Sequence, residues 1–174
     1  MSHHYTWDKL MKNSMRLNPK TRGINSPHTP KFEKLLVLPF VGTKSCLIKL
    51  QAWGVTQNAL HQVSMLFSDC EIKTGEQELS LWDYFKVEYK GEIYYVKKFD
   101  KFRNPLTSRC SCKSYFFDFA WYNYYNAHCL YGPPPKPYRK KTNRPSRNPL
   151  HIPGICKHVY NAWDYLKREG FTVN

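Results

Sequence analysis

Two short motifs, far apart in the chain, constrain the fold more than any other feature. The first is C-x-C at residues 110–112 and the second is C-x-H at residues 156–158. Side chains two residues apart in a strand point to the same face, so both sulfurs of the first motif can reach one ion. At a turn into a helix, the cysteine of the second motif stays outside the helix while its histidine projects from the first turn. Three thiolates and one imidazole are a typical structural zinc set, so we predict Zn²⁺ at Cys110, Cys112, Cys156 and His158.

Two other roles for these cysteines stay open: small buried core residues, and an iron–sulfur or redox site. Cys129, next to His128, is a reserve ligand. Adjacent residues of a helix diverge by about 100°, so we do not expect both to bind one ion. Cys46 and Cys70 lie on predicted strands and are expected in the core. With six cysteines in 174 residues, a disulfide scaffold is not expected.

The number of ligands decides what such an ion can do. Four protein ligands leave no coordination position for a water molecule, so the ion would tie the sheet to the last helix and would not catalyse hydrolysis. The chain carries no Gly-rich phosphate loop, no H-E-x-x-H motif and no G-x-S-x-G motif. We therefore expect a protein that is not an enzyme and has no small-molecule substrate.

Charge and length narrow the class of partner. The chain has 27 Lys and Arg against 13 Asp and Glu, a formal net charge of +14, which favours an acidic partner such as nucleic acid or an anionic protein surface. No apolar run approaches the roughly 18 residues that a membrane span needs, and we expect neither an export leader nor a membrane partner. A hydrophobic fraction of 41% is enough for one packed domain.

The patterning predicts an α+β fold: a small antiparallel sheet packed with an aromatic helix and a C-terminal helix. Residues 1–31 are polar and basic, and we expect an extended arm there with at most one short helix; residues 32–174 form the single zinc-binding domain. Apolar and polar residues alternate over 46–53 and 63–68, which indicates strands. Phe85 to Val96 reads as a hairpin that turns at Lys90–Gly91.

Helices are predicted at 114–131 and 157–169. The first is rich in aromatic residues, and we expect a core helix buried on most sides rather than a platform for stacking bases. Its main stripe comprises Phe117, Trp121, Tyr124, Tyr125 and His128, and its apolar surface is extended by Tyr115, Phe119 and Tyr122. The second has an apolar stripe and a stop signal, because Gly170 suits a left-handed residue and Phe171 can then contact Leu166.

A proline-rich basic loop spans residues 132–154. Proline fixes φ and removes backbone donors, so we expect an extended segment without regular structure. No acidic residue interrupts its cations, which are candidates for contact with a polyanion or an acidic partner, or for a solvated surface. They are Lys136, Arg139, Lys140, Lys141, Arg144 and Arg147.

The pattern C-x-C followed by C-x-H resembles the SWIM-type zinc-binding motif, in which a β-hairpin and the following helix each supply two ligands. Over residues 86–166, the R-C-S-C string, the aromatic helix and the N-P-L-H-I-P-G-I-C-K-H string at 148–158 resemble small virion structural proteins of tailed bacteriophages. That resemblance implies an adaptor in the tail, baseplate or neck, which binds other virion proteins and joins the particle in the host cytoplasm. The alternative is a SWIM-type module that binds nucleic acid through its basic loop and arm.

Overall fold

The described part of the chain forms an α+β fold with two antiparallel sheets. The computed structural model describes residues 5–17, 30–54, 59–75, 79–136 and 141–173. Three of the helical elements, α2, a π-helical turn and α3, follow one another without a break over residues 113–125; we call this segment the aromatic helix. The elements are α1 (Trp7–Leu17), β1 (Lys31–Phe40), β2 (Ser45–Gly54), β3 (Ala59–Phe67), β4 (Ile72–Thr74), β5 (Tyr84–Tyr89), β6 (Glu92–Lys97), β7 (Leu106–Cys110), α2 (Lys113–Tyr115), the π-helical turn (Phe116–Ala120), α3 (Trp121–Tyr125) and α4 (Lys157–Arg168).

The larger sheet has four strands in the order β1-β2-β3-β7, and each neighbouring pair is antiparallel. The predicted alternation in β2 and β3 is confirmed, because every second residue from Cys46 to Ala52 and from Val63 to Phe67 is buried. Ile48 of β2, for example, pairs with Met65 of β3, and both are fully buried. Strand β7 lies beside β3, where Cys110 pairs with Val63. The sheet thus carries the C-x-C motif to its edge.

The smaller sheet has the order β4-β6-β5 and contains the predicted hairpin. The hairpin turns at Lys90 and Gly91, whose φ angles are +54° and +80°. Two consecutive positive φ values are typical of a type I′ turn, which matches the twist of paired strands. The hairpin prediction is therefore confirmed, including the position of its turn.

Helix α1 fits the one short helix expected within residues 1–31, and it packs against the core. Trp7 stacks on Tyr160 and Trp163 of α4, with ring centroids 5.6 and 5.2 Å apart, and Leu10 is fully buried. Two aromatic stacks and a buried leucine give this short helix enough apolar contact to dock. The rest of the predicted arm, apart from residues 5, 6, 30 and 31, lies outside the described residues.

The aromatic helix is shorter than predicted, and part of its predicted main stripe is exposed. It spans 113–125 rather than 114–131, and His128 beyond it has a φ of +49°, which a helix cannot accommodate. Its central turn is π-helical, and the extra residue in that turn shifts the phase of the side chains that follow. Tyr115, Phe119 and Asn123 are buried, whereas Trp121 and Tyr125 of the predicted buried stripe are exposed.

Helix α4 confirms both the predicted helix and its end. Gly170 has a φ of +81°, its N–H donates to the Lys167 carbonyl, and the N–H of Phe171 donates to the Leu166 carbonyl at 2.9 Å. This is the hydrogen-bond pattern of a Schellman ending. None of the helices in the described part of the chain has the length and apolar character that a membrane crossing requires.

Candidate metal centre

Three elements, β7, α2 and α4, deliver the side chains of the two cysteine motifs to one point. Cys110 ends β7, and Cys112 is the N-cap of α2, where its sulfur accepts the N–H of Tyr115 at 3.3 Å. Cys156 is the extended N-cap residue of α4, and His158 lies in the first turn of that helix. The sequence anticipated this arrangement, because each motif stands where a strand or turn gives way to a helix.

The four ligand atoms form a compact group. All four lie within 4.8 Å of one another, and the four residues are 2–4% exposed. The Sγ atoms of Cys110 and Cys156 lie 3.8 and 4.0 Å from Nδ1 of His158. Around a single tetrahedral ion with Zn–S near 2.3 Å, ligand atoms lie roughly 3.5–3.8 Å apart. The cluster could therefore hold a metal ion after a small inward movement of its side chains.

Burial and mutual hydrogen bonding divide the three thiols into two kinds. A hydrogen bond from Cys110, and to a smaller extent one from Cys156, holds the pKa of the Cys112 thiol far below its usual value. Burial raises the pKa of Cys110 and of Cys156 well above the usual value. Burial and the charge of a neighbouring thiolate both oppose ionisation of all three thiols together. A divalent cation is the kind of group that would let all three sulfurs be thiolates.

The orientation of His158 identifies its ligand atom. Nδ1 faces the sulfurs, while Nε2 is buried and has no hydrogen-bond partner among the described residues. The ring of His61, on β3, lies against the His158 ring with centroids 4.5 Å apart and planes tilted by 45°. Nδ1 is therefore the nitrogen available to a metal, and the neighbouring ring restricts the position of the imidazole.

The reserve ligands lie apart from the cluster. Among the described residues, the group of four contains neither Cys129 nor His128. The backbone of Cys129 bonds to Asn123 and Ser108, and burial raises the pKa of its thiol to about 12. Cys46 and Cys70 are buried in the core, as predicted, but only Cys46 lies on a strand, since Cys70 lies between β3 and β4. Each of these three cysteines is buried and forms no disulfide.

Buried polar side chains hold the segment that leads into Cys156. The sequence patterns did not predict this role. Asn148 donates from Nδ2 to the carbonyls of Asp118 and Ile152, both at 2.7 Å. Ser14 of α1 accepts the N–H of Ile155 at 2.7 Å. An unpaired polar group at such a buried position would be costly, so each bond fixes the path of the chain. The sequence contains one indication of such contacts, which is the presence of asparagine within otherwise aromatic or proline-rich segments.

One cation of the basic loop, Arg147, forms an ion pair within the chain. Nε of Arg147 lies 2.6 Å from Oδ1 of Asp118, a carboxylate on the buried face of the aromatic helix. Arg147 is thus paired within the chain while its side chain stays half exposed, and its contact with a polyanion or partner stays a prediction. Lys136, Lys141 and Arg144 are exposed, and Arg139 and Lys140 lie outside the described residues.

Comparisons of this chain with known proteins gave no match. No family model, no curated protein and no solved structure matches the chain. The metal-binding capacity of the cluster therefore rests on the chain's own residues: three buried thiols and one buried imidazole nitrogen, brought within 4.8 Å of one another.

Proposed function

We propose that this chain is a structural component of a tailed-phage virion, an adaptor in the tail, baseplate or neck, whose fold is stabilised by Zn²⁺ bound to Cys110, Cys112, Cys156 and His158. One observation carries the zinc proposal: four ligand atoms of the right chemistry converge within 4.8 Å at a buried point. The assignment to a virion rests on the sequence resemblance over residues 86–166.

The donor set supports zinc over other metals. Three thiolates and one imidazole are soft and borderline ligands, which Mg²⁺ and Ca²⁺ do not prefer. An iron–sulfur cluster places its cysteines around several irons and so spreads them more widely than one ion does. The 4.8 Å spread of these atoms fits a single ion.

The position of the ion supports a structural role. The four side chains fill the coordination shell and are 2–4% exposed, so neither water nor substrate has access. The ion would join the end of β7 and the start of the aromatic helix to the start of α4. Structural zinc contributes on the order of 10 kcal/mol in zinc-finger peptides, which is comparable with the whole stability of a small domain.

The nucleic-acid alternative has its own support in the exposed cations of the basic loop. Lys136, Lys141 and Arg144 are exposed, and residues 132–154 contain no acidic residue. Binding to phosphates would weaken steeply with added salt, because each contact releases condensed counterions. A DNA affinity that collapses between about 50 and 200 mM salt, and falls further in Lys141→Gln/Arg144→Gln, would favour this alternative.

Metal binding is tested by native mass spectrometry and thermal unfolding of the purified chain. We expect one zinc ion per chain, and its loss together with a large fall in melting temperature in Cys112→Ser and in His158→Ala. Cys129→Ser is the matched control, since Cys129 is buried but lies outside the cluster. A metal-free wild-type protein, or variants that keep their zinc, would contradict the zinc proposal.

The virion assignment needs a separate test. Purified, intact phage particles from an infected culture that encodes this chain are sedimented and digested, and their peptides are identified by mass spectrometry. We expect peptides of the chain to sediment with the particles in a fixed ratio to a tail protein, also after a high-salt wash. Recovery only in the unsedimented fraction would overturn the assignment.

A further inference from the structure

A pocket of about 530 Å³ lies beside the metal centre and belongs to none of the roles described above. Strands β3 and β7 form one side, the aromatic helix forms another, and residues 134–136 of the basic loop close the third. Cys110 is among the lining residues, so the pocket and the metal centre share a wall. The pocket is partly open to solvent and has room for one or two side chains.

The charged side chains that line the described pocket are all positive. Arg109, Lys113 and Lys136 line it, and none of the described lining residues is acidic. Arg109 is fixed in place, because its guanidinium donates to the carbonyls of Tyr131 and Pro133. Lys113 and Lys136 are exposed and form no salt bridge with a described residue. The pocket stays positive even if a zinc ion with three thiolates adds one negative charge behind it.

The interior of the pocket is mainly apolar. Phe116, Ala120, Leu130 and Pro134 contribute to its walls. Apolar walls favour an apolar group that leaves water, while the two free lysines at the edge favour carboxylates or another anion. A matching ligand therefore carries an apolar side chain with negative charges on either side of it.

We propose that the pocket binds an acidic segment of another polypeptide, with one apolar side chain inserted and carboxylates placed on Lys113 and Lys136. Charge complementarity supports this occupant. The inference rests on the proposed adaptor function and deepens it, since an adaptor needs a surface for a neighbouring subunit. Lys113 follows Cys112 directly, so a bound metal would also fix the lysine that receives the partner.

The aromatic rings argue against a nucleic-acid strand in the same pocket. Single strands bind through bases that stack on exposed ring faces. Tyr115 is 1% exposed and its hydroxyl donates to the Ser108 carbonyl, and the guanidinium of Arg147 lies over the Phe117 ring at 5.9 Å. Only Phe116, of the three aromatic residues that line the pocket, is exposed. One such ring gives a base little to stack on.

Fluorescence anisotropy with the zinc-loaded full chain tests the proposal. The probes are a labelled peptide of sequence Asp-Asp-Leu-Phe-Glu-Asp, the amide version Asn-Asn-Leu-Phe-Gln-Asn, and a labelled thymidine hexanucleotide. We expect the acidic peptide to bind at least tenfold more tightly than the other two. Lys113→Gln/Lys136→Gln should weaken its binding by about tenfold or more, the effect of losing two ion contacts of roughly 0.7 kcal/mol each.

Two further variants and a metal assay separate the possible outcomes. Lys86→Gln, at an exposed position of β5, should leave binding unchanged, and Phe116→Ala should weaken it several-fold. A Kd above about 1 mM for the acidic peptide, equal loss in Lys86→Gln, or tighter binding of the hexanucleotide would overturn the proposal. If that happens while each chain keeps one zinc and sediments with particles, only the pocket inference fails.

Discussion

The side chain of Asn123 and the backbone of Gly154 exchange two hydrogen bonds. Nδ2 of Asn123 donates to the Gly154 carbonyl at 2.9 Å, and the Gly154 N–H donates to Oδ1 at 2.9 Å. The same Nδ2 group donates to the Tyr115 hydroxyl at 2.8 Å, so one buried amide joins the aromatic helix to the segment before α4. Because Cys156 comes two residues after Gly154, this contact helps to hold the second metal motif against the first.

Replacing Asn123 should therefore destabilise the chain strongly. In Asn123→Leu, the N–H and carbonyl of Gly154 lose their partners in a site that water does not reach, at a cost of about 2–4 kcal/mol. Urea unfolding of the zinc-loaded protein measures the loss. Asn126→Leu is the control, since the Asn126 side chain makes an exposed bond to the His151 carbonyl; it should cost below about 1 kcal/mol. Equal losses would contradict the role of the buried amide.

Gly154 itself leaves no room for a larger residue. A Cβ atom there would lie 2.5 Å from Cε1 of Phe119 and 2.6 Å from Oγ of Ser14. Gly154→Ala should therefore cost about 1–3 kcal/mol in urea unfolding, as overpacked core sites do. The control is Gly42→Ala, where an added Cβ meets no atom within 4 Å. The double variant Gly154→Ala/Phe119→Leu should lose less stability than the sum of the two single variants, because leucine removes the ring that the new Cβ meets. If the two losses add fully, the ring clash is ruled out.

Local sequence patterns predicted those parts of the fold whose causes are local. The hairpin turn at Lys90–Gly91 and the end of α4 at Gly170 depend on φ preferences and short-range contacts, and both were predicted to the residue. The docking of α1 was not predicted. It depends on Trp7 meeting two aromatic rings of α4, a contact between chain ends that periodicity does not reveal.

The same contrast holds for the candidate site. The grouping of the two cysteine motifs was predictable, because ligand chemistry and spacing are visible in the sequence. The main stripe of the aromatic helix was predicted wrongly at Trp121 and Tyr125, which are exposed, since the π-helical turn at Phe116–Ala120 changes their phase. The ion pair of Arg147 was also missed: a charged run gives no sign of which member finds a distant carboxylate.

That ion pair gives a prediction about the basic loop. Burial raises the pKa of Asp118, and Ser114 and Arg147 act against that rise. In Arg147→Met the carboxylate loses its cation, and we expect a loss of about 1–3 kcal/mol at neutral pH by urea unfolding. The loss should shrink as the pH falls, because Asp118 can then take up a proton and leave no buried charge. Hydrogen exchange at residues 148–152 should also become faster.

Lys141→Met is the matched control for this variant. Lys141 lies in the same loop, is exposed and forms no salt bridge with a described residue. Its replacement should leave stability within about 0.5 kcal/mol of the wild type at every pH. A pH-independent loss in Arg147→Met would show that the arginine acts through the packing of its side chain against Phe117 and not through its charge.

Glu71 ties together the three strands of the smaller sheet. Its carboxylate accepts the Tyr84 hydroxyl of β5 and forms salt bridges with Lys97 of β6 and Lys73 of β4. These partners, Tyr84 first, lower the pKa of Glu71 to about 2. Because this is below the ordinary value of 4.5, the carboxylate favours folding above that value, and the benefit disappears as the pH falls towards 2.

The titration of Glu71 can be followed directly. Carboxyl NMR shifts should show Glu71 still ionised below pH 4.5 for as long as the chain stays folded, and over that range the melting temperature of Glu71→Gln should fall less than that of the wild type. Loss of metal in acid lowers the melting temperature of both proteins alike. The difference between their melting temperatures therefore reports the contribution of the Glu71 carboxylate. Glu88→Gln removes an exposed charge from β5 and should follow the wild-type curve. A Glu71 midpoint near 4.5 would mean that Tyr84 and the two lysines do not hold the carboxylate in solution.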